Sequence, residues 1–252
     1  MGENAKEATV GKTEQLLELL DKAENVAAFT GAGVSTLCGI PDFRGPQGLY
    51  RQPDAERIFD IDWFDEDPSI YYKGCAELVY GLKNYQPGPV HFALAKLERE
   101  GKLKGIATQN IDMLHQKAGS SVVYEVHGSP ILHHCRRCGD EKSFAEICAM
   151  LEKEPVAHCA CGGVYKPDIT FFGESLPEEA FEGAIKLASE ADLILVLGSS
   201  LTVQPAGSIP LYTLRRGGKM VIVNAQSTPL DGSAALLMPD LKEFAEAILD
   251  RR

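Results

Sequence analysis

The stretch that decides the fold is residues 29–45, F-T-G-A-G-V-S-T-L-C-G-I-P-D-F-R-G. It follows the apolar run V-A-A-F at 26–29, which predicts a buried parallel strand. Gly31 and Gly33 lie where that strand turns toward a helix, and residues without side chains there let a diphosphate approach the backbone amides. Because Thr36 replaces the third glycine of the usual G-x-G-x-x-G fingerprint, an ordinary tight turn is an open alternative.

The same stretch ends in a loop with unusual polar groups. Pro41, Asp42, Phe43 and Arg44 set an acid, an aromatic ring and a guanidinium side by side. Long loops of this kind are usually functional, because binding and catalytic residues concentrate on loops held by a rigid scaffold. We therefore expect this loop to belong to a functional site.

Composition and charge narrow the class of protein. The 252 residues, 44% hydrophobic and 24% charged, suit one large α/β domain or a domain with a smaller insert. No apolar run approaches the roughly 18–20 residues of a membrane span, and the N-terminus lacks the apolar core of a signal peptide. We expect a cytoplasmic chain with no membrane partner. A formal net charge of −11 argues against nucleic acid as a ligand.

Apolar periodicity predicts alternating helices and strands. Helices are expected at 13–23, 91–100, 177–188 and 241–249, and an aromatic segment at 53–81 is expected to form helices with a small aromatic core. Strands are expected at 26–29, 105–108, 122–126, 193–197 and 219–223. Such a pattern predicts an α/β fold with a parallel sheet.

Every predicted strand ends in glycine or in a hydrogen-bonding side chain: Gly31, Gln109 with Asn110, His127, Gly198 with Ser199, and Asn224. In an open parallel sheet, ligands bind outside the carboxyl ends of the strands. Ordinary turns also use Gly, Ser and Asn, and Asn110 or Asp112 is a plausible N-cap for a helix opening at 109–115. His127 is neither a preferred cap nor a turn former.

Four cysteines have the spacing of a metal site. Cys135 and Cys138 form a C-x-x-C pair, and Cys159 and Cys161 form a C-x-C pair after a gap of twenty residues. Four thiolates suit one tetrahedral, structural zinc, and disulfides are the alternative. Basic residues near the cysteines in sequence are expected to offset the thiolate charge: Arg136, Arg137, Lys142 and Lys166. The neighbouring histidines are expected to be solvated and not to be ligands: His133, His134 and His158.

Taken together, the sequence blocks resemble one family. The blocks are G-A-G-V-S-T-x-x-G-I-P-D-F-R-G, T-Q-N-I-D-M-L-H, H-G-S, the four cysteines, F-F-G-E-S-L-P, G-S-S-L-T-V-x-P and V-N, in order over roughly residues 24–248. They resemble the sirtuins, which are NAD-dependent protein-lysine deacylases. The resemblance implies a Rossmann-like NAD-binding domain at 1–45, 86–128 and 169–252. It also implies a small domain made of a helical insert at 46–85 and a zinc module at 129–168.

The resemblance also implies roles for individual residues. Asn110, Asp112 and His127 are expected to be catalytic, with His127 as the general base. Segments 170–176 and 202–205 are expected to sandwich an extended substrate peptide by strand pairing. The expected NAD-binding residues are Gly31, Ala32, Thr36, Phe43, Arg44, Gln109, Asn110, Ile111, Asp112, His127, Gly198, Ser199, Ser200, Asn224 and the backbone near Leu241.

The chemistry that the resemblance implies is acyl transfer. The acyl oxygen of an acetylated lysine attacks C1′ of the nicotinamide ribose. Nicotinamide, a product and inhibitor, leaves, and an alkylimidate joined to ADP-ribose remains. His127 then takes a ribose hydroxyl proton so that this oxygen attacks the imidate, which gives free lysine and O-acetyl-ADP-ribose. Sirtuins that prefer acidic acyl groups carry a Tyr and an Arg where this chain has Cys75 and Leu78, so a neutral acyl group is favoured.

Three other functions use part of the same residue set. Mono-ADP-ribosyl transfer would use the same loop and NAD with a protein side chain as acceptor. A non-catalytic NAD-responsive binding module has no need for a base such as His127. Hydride transfer on a Rossmann fold would produce NADH, whereas deacylation releases nicotinamide.

Overall fold

The computed structural model describes residues 2–41 and 55–251. Its strands, in chain order, are β1 (Val26–Thr30), β2 (Leu103–Thr108), β3 (Val123–Glu125), β4 (Gly128–Cys135), β5 (Glu141–Ser143), β6 (Tyr165–Ile169), β7 (Leu193–Leu197), β8 (Lys219–Val223) and β9 (Leu236–Met238). The α-helices are α1 (Gly2–Lys22), α2 (Gly33–Thr36), α3 (Ala55–Ile58), α4 (Ile61–Glu66), α5 (Pro68–Gly74), α6 (Pro89–Arg99), α7 (Leu114–Lys117), α8 (Phe144–Leu151), α9 (Glu178–Glu190), α10 (Pro210–Arg215) and α11 (Leu241–Leu249). Short 3₁₀ helices lie at Tyr80–Asn84, Ala206–Ser208 and Asp231–Ser233.

The larger sheet is parallel and has six strands in the order β3-β2-β1-β7-β8-β9. Its strands are apolar throughout because both faces are covered, as in α/β proteins. Val26 and Ala28 of β1 face a core shared with α1, α6 and α11, whereas Ala27 and Phe29 face a core shared with α9 and the segment around Ile209. The predicted α/β fold with a Rossmann-like parallel sheet is confirmed.

The strand order reverses beside β1. The chain runs outward through β2 and β3 on one side of β1 and through β7, β8 and β9 on the other. A crevice forms where neighbouring connections leave in opposite directions, so this is the position where an open sheet binds ligands. The exits of β1 and β7, at Gly31 and Gly198, meet at this point.

A second, three-stranded antiparallel sheet has the order β5-β4-β6 and packs against α8. Its core is shared with the segment before β2, where the predicted aromatic cluster is confirmed. Phe64 and Phe171 pack edge to face with ring centroids 5.6 Å apart, and Tyr72 and Tyr80 stack at 5.8 Å. The exact division of the chain between large and small domains stays a prediction.

Several elements differ from the predictions: β4, β5 and β6 of the small sheet and helices α8 and α10 were not predicted. The three-residue strand β9 was not predicted, because a short apolar run cannot be assigned by periodicity alone. The helix expected to open at 109–115 begins only at Leu114, since Met113 adopts a left-handed φ of 61°. Asp112 Oδ1 accepts the Leu114 backbone N–H at 3.0 Å, which satisfies an orphan donor of the first turn. No helix in the described ranges is long and apolar enough to cross a membrane.

Candidate active site

The glycines after β1 and β7 pack directly against each other. The backbone N–H of Gly31 donates to Leu197 O at 3.0 Å, and that of Gly33 donates to Gly198 O at 2.9 Å. A Cβ on Gly33 would lie 2.7 Å from the Gly198 Cα, closer than real Cβ contacts allow. Because glycine has no side chain, the exits of β1 and β7 can meet. Gly31, Gly33 and Gly198 all line a cleft at this point.

We expect Gly33→Ala to lower the free energy of unfolding by about 1–3 kcal/mol, the usual cost of overpacking. The added methyl group must displace the backbone of Gly198, which cannot move like a flexible side chain. Urea denaturation measures the change. Gly232→Ala is the matched control, because a Cβ there meets nothing within 4 Å. Equal stability of the two variants would contradict the role of Gly33 in this contact.

The cleft has a volume of about 960 Å³ and lies along the carboxyl edge of the large sheet. Most of the residues predicted to bind NAD line it: Gly31, Ala32, Thr36, Gln109, Asn110, Ile111, His127, Gly198, Ser199, Ser200, Asn224 and Leu241. The exits of five separate strands thus converge on one cavity. The order of the strands in the sheet explains this convergence, whereas the spacing of the residues in the sequence alone does not. Phe43 and Arg44 lie outside the described residues.

Asp112 lies behind the cleft wall rather than in it. Its Oδ2 accepts from the Ser35 hydroxyl at 2.6 Å, and the Asn110 amide donates to the same hydroxyl at 3.2 Å. All three side chains are buried, so these contacts fix the orientation of the Asn110 amide. Ser35 was not predicted as a site residue, although it lies within the G-A-G-V-S-T block. Its partner Asp112 is 77 residues away in the sequence, so only the fold shows their contact.

His127 lies in the cleft wall just after β3. Its Nδ1 lies 3.0 Å from the backbone oxygen of Gln109. A carbonyl oxygen only accepts, so Nδ1 carries the hydrogen and, in the neutral ring, Nε2 carries the basic lone pair. The side chain of Gln109 donates to Ser199 Oγ at 2.7 Å, which ties the exit of β2 to that of β7. The His127 ring is therefore oriented by the backbone oxygen of Gln109, a residue whose own side chain is fixed by Ser199.

Comparison with known proteins gives a consistent result. Residues 31–205 match the Sir2 family. A Thermotoga maritima protein named NAD-dependent protein deacetylase is 43% identical over 241 residues, which cover 95% of this chain and 98% of that protein.

The chain belongs to the Sir2 family.

Solved Sir2 structures superimpose closely on this chain. A Sir2 variant with a deacetylated p53 peptide and 3′-O-acetyl ADP ribose has a TM-score of 0.91 and 42% identity, covering 95% of this chain and 98% of that one. A Sir2 complex with a p53 peptide and NAD+ has a TM-score of 0.87 at 42% identity and the same coverage. The resemblance to sirtuins predicted from the sequence is confirmed.

In this Sir2-family chain the four predicted cysteines converge. The Sγ atoms of Cys135, Cys138, Cys159 and Cys161 all lie within 4.8 Å of one another. The Cys135–Cys161 and Cys138–Cys159 pairs are 3.5 and 3.7 Å apart, too far for disulfides. Tetrahedral zinc with Zn–S bonds of about 2.3 Å requires S···S distances near 3.8 Å, so the cluster fits this ion.

The surroundings of the cysteines are partly as expected. The backbone N–H groups of Arg137 and Gly163 point at Cys135 and Cys161 sulfurs at 3.4 Å, which stabilises thiolates. Arg136 and Lys166, however, do not offset the thiolate charge as expected. Arg136 pairs with Asp65 at 2.6 Å, and Lys166 pairs with Glu174 at 2.8 Å.

The histidines beside the cysteines differ from one another. His158 is exposed, as predicted, and His134 is half-buried with its Nδ1 2.7 Å from Asp168 Oδ1, but the prediction that His133 is solvated is wrong. His133 is fully buried with its Nε2 3.2 Å from the Tyr80 hydroxyl, and burial lowers its pKa to about 4. Successive residues of β4 point to opposite faces, so one of two adjacent histidines enters the core.

Proposed function

We propose that this chain is an NAD-dependent protein lysine deacetylase that transfers the acetyl group to ADP-ribose and releases nicotinamide and O-acetyl-ADP-ribose. The observation that carries the proposal is His127, an oriented base in the wall of a cleft built from five strand exits. The names of the relatives and the acetyl ADP ribose bound in a Sir2 complex support the same reaction class.

In the proposed reaction the cleft supplies orientation and a general base. Gly31, Ala32 and Thr36 would hold the diphosphate side of NAD, and Ser199 and Asn224 the adenosine side. Asn110, oriented through Ser35 and Asp112, would order the nicotinamide ribose. His127 Nε2 would take a proton from a ribose hydroxyl and so release the oxygen that attacks the imidate carbon. A water would then add to this carbon and the lysine amine would leave, which gives free lysine and O-acetyl-ADP-ribose.

We propose that the peptide substrate lies between the segments at 170–176 and 202–205. Residues 170–176, together with Val203, Gln204 and Pro205, line the cleft. The proposed acyl group is acetyl or another neutral one, for two reasons. Among the described residues that line the cleft there is no Lys or Arg, and Cys75, where acid-preferring sirtuins carry a Tyr, is fully buried in the aromatic cluster.

Several finer assignments belong to the same proposal. One structural zinc would occupy the four-cysteine site, nicotinamide would inhibit as well as leave, and the NAD set would include Phe43, Arg44 and Leu241. The division at 1–45, 86–128 and 169–252 against 46–85 and 129–168 follows the sirtuin resemblance. A cytoplasmic location without nucleic acid or membrane partners rests on the sequence and its net charge of −11.

Product analysis tests the proposal. The protein is incubated with NAD and an acetyl-lysine peptide, and the peptide is examined by mass spectrometry. We expect loss of the acetyl group together with free nicotinamide and O-acetyl-ADP-ribose. Gain of ADP-ribose on the peptide would favour mono-ADP-ribosyl transfer, and an NADH absorbance would favour hydride transfer. An unchanged peptide in the presence of bound NAD would favour a binding module.

A further inference from the structure

The proposed substrate segment at 170–176 is a thin wall between two cavities. One face lines the cleft of about 960 Å³, and the other lines a polar cavity of about 480 Å³ beside the three-stranded sheet. Thr170, Glu174 and Ser175 border both cavities. Phe172, Gly173 and Ser175 of this wall are exposed, so the position of this part of the chain depends on specific anchors.

The first half of this wall is anchored in the aromatic cluster. Phe171 is buried, with its ring centroid 5.7 Å from Phe59 and 5.6 Å from Phe64. Phe172 N–H donates to Phe59 O at 2.7 Å, and Ile61 N–H donates to Phe172 O at 3.1 Å. These contacts hold the backbone up to residue 172.

The second half is held by an ion pair between the buried ammonium of Lys166 and the half-buried carboxylate of Glu174. Lys166 Nζ donates to Glu174 Oε2 at 2.8 Å and to Ile169 O at 2.8 Å, and Phe171 N–H donates to the same Glu174 oxygen at 2.8 Å. The Lys166 side chain is 9% exposed and its ammonium lies 4.1 Å from the Phe171 ring centroid. Two further contacts hold this half: Arg136 acts electrostatically on the Glu174 carboxylate, and Leu176 packs against the core that contains Ala184 and Ile209.

The position of Lys166 is set by the cysteine-bearing sheet. Lys166 lies on β6 opposite His134 of β4, one residue along from the pairing of Tyr165 with Cys135. The Lys166 ammonium is buried and has lost most of its water, so it depends strongly on its carboxylate partner. The ion pair therefore fixes the segment 170–176, which lines the cleft, relative to β6 of the small sheet.

We propose that Lys166 is a positioning residue for substrate peptide, acting through its ion pair with Glu174 on residues 173–176. This inference rests on the proposed deacetylase function. Lys166 does not line the cleft, so it acts on the peptide through the cleft-lining groups that it contacts, which are the Glu174 carboxylate and also Ile169 O and the Phe171 ring. The NAD side of the cleft, which is built from the large sheet, is independent of it.

The test compares Lys166→Met, Lys166→Arg and a control in steady-state deacetylation of an acetyl-lysine peptide. Loss of a charged hydrogen bond corresponds to a roughly tenfold or larger effect, so we expect Lys166→Met to raise the peptide KM by about tenfold. The KM for NAD and kcat at saturating peptide should stay within about twofold, and Lys166→Arg should restore most of the peptide KM. Lys142→Met is the control, because Lys142 lies on the same small sheet but pairs at the surface with Glu146.

Glu174→Gln provides an independent route if Lys166→Met does not fold. It should raise the peptide KM similarly, and the double variant should be no worse than the worse single one, because the two residues act as a pair. Zinc content and melting temperature of each variant report the state of the small sheet. An unchanged peptide KM in both single variants, or an equal rise in the KM for NAD, would overturn this inference. A wild-type protein that leaves the acetylated peptide intact would instead contradict the proposed function.

Discussion

His127→Ala should lower turnover of an acetyl-lysine peptide by about 10² or more, the scale of a lost general base. The ring lies in the cleft wall and is oriented through Nδ1 by the Gln109 carbonyl, so its removal takes away the base. NAD and peptide affinity should change little, because the rest of the cleft lining is unaltered. Single-turnover kinetics and equilibrium binding of NAD and peptide separate the two quantities.

His158→Ala is the matched control for this experiment. His158 is an exposed histidine outside the cleft lining, so the same substitution there should leave turnover unchanged. Near-wild-type turnover by the His127→Ala variant would contradict the assignment of His127 as the general base. A parallel loss of NAD affinity would instead assign His127 to ground-state binding.

The large sheet was predictable from the sequence because its strands are buried on both faces. Residues 193–197, L-I-L-V-L, have no alternation, and each such run ends in a polar or glycine exit. The strand order was not predictable, since the run of residues between β3 and β7 contains the whole small sheet. This order brings the β1 and β7 exits together, so the cleft follows from topology.

Side-chain partners were harder to predict than positions. Gln109 was expected at the site, but its bond to Ser199, 90 residues away, required the fold. Ser35 was overlooked because a serine after a glycine turn has many ordinary roles. Lys166 was expected beside the thiolates because it is near them in sequence, whereas β6 directs it toward Glu174. Sequence proximity predicts which residues share an element and says little about which face they occupy.

Loss of the metal site should have the largest effect on stability. We expect Cys135→Ala to abolish stoichiometric zinc binding and to lower the melting temperature, because binding of a structural zinc is coupled to folding of the residues around it. Cys135 ends β4, which pairs with both β5 and β6, so its sulfur joins the metal site to the whole small sheet. Elemental analysis and thermal unfolding measure the two effects.

A second cysteine in the same region provides the control. Cys148 lies on α8, packs partly against the small core and does not belong to the four-sulfur cluster, so Cys148→Ala should keep zinc. The glycine contacts at the exits of β1 and β7 are built from the large sheet alone, so Cys135→Ala should keep NAD binding while the chain is folded. A native protein that carries no metal and melts at the wild-type temperature would show that the thiolates are not structural ligands. Chelation of zinc adds a further test. If β6 positions residues 170–176 through Lys166, peptide affinity should be lost before NAD affinity as zinc is removed.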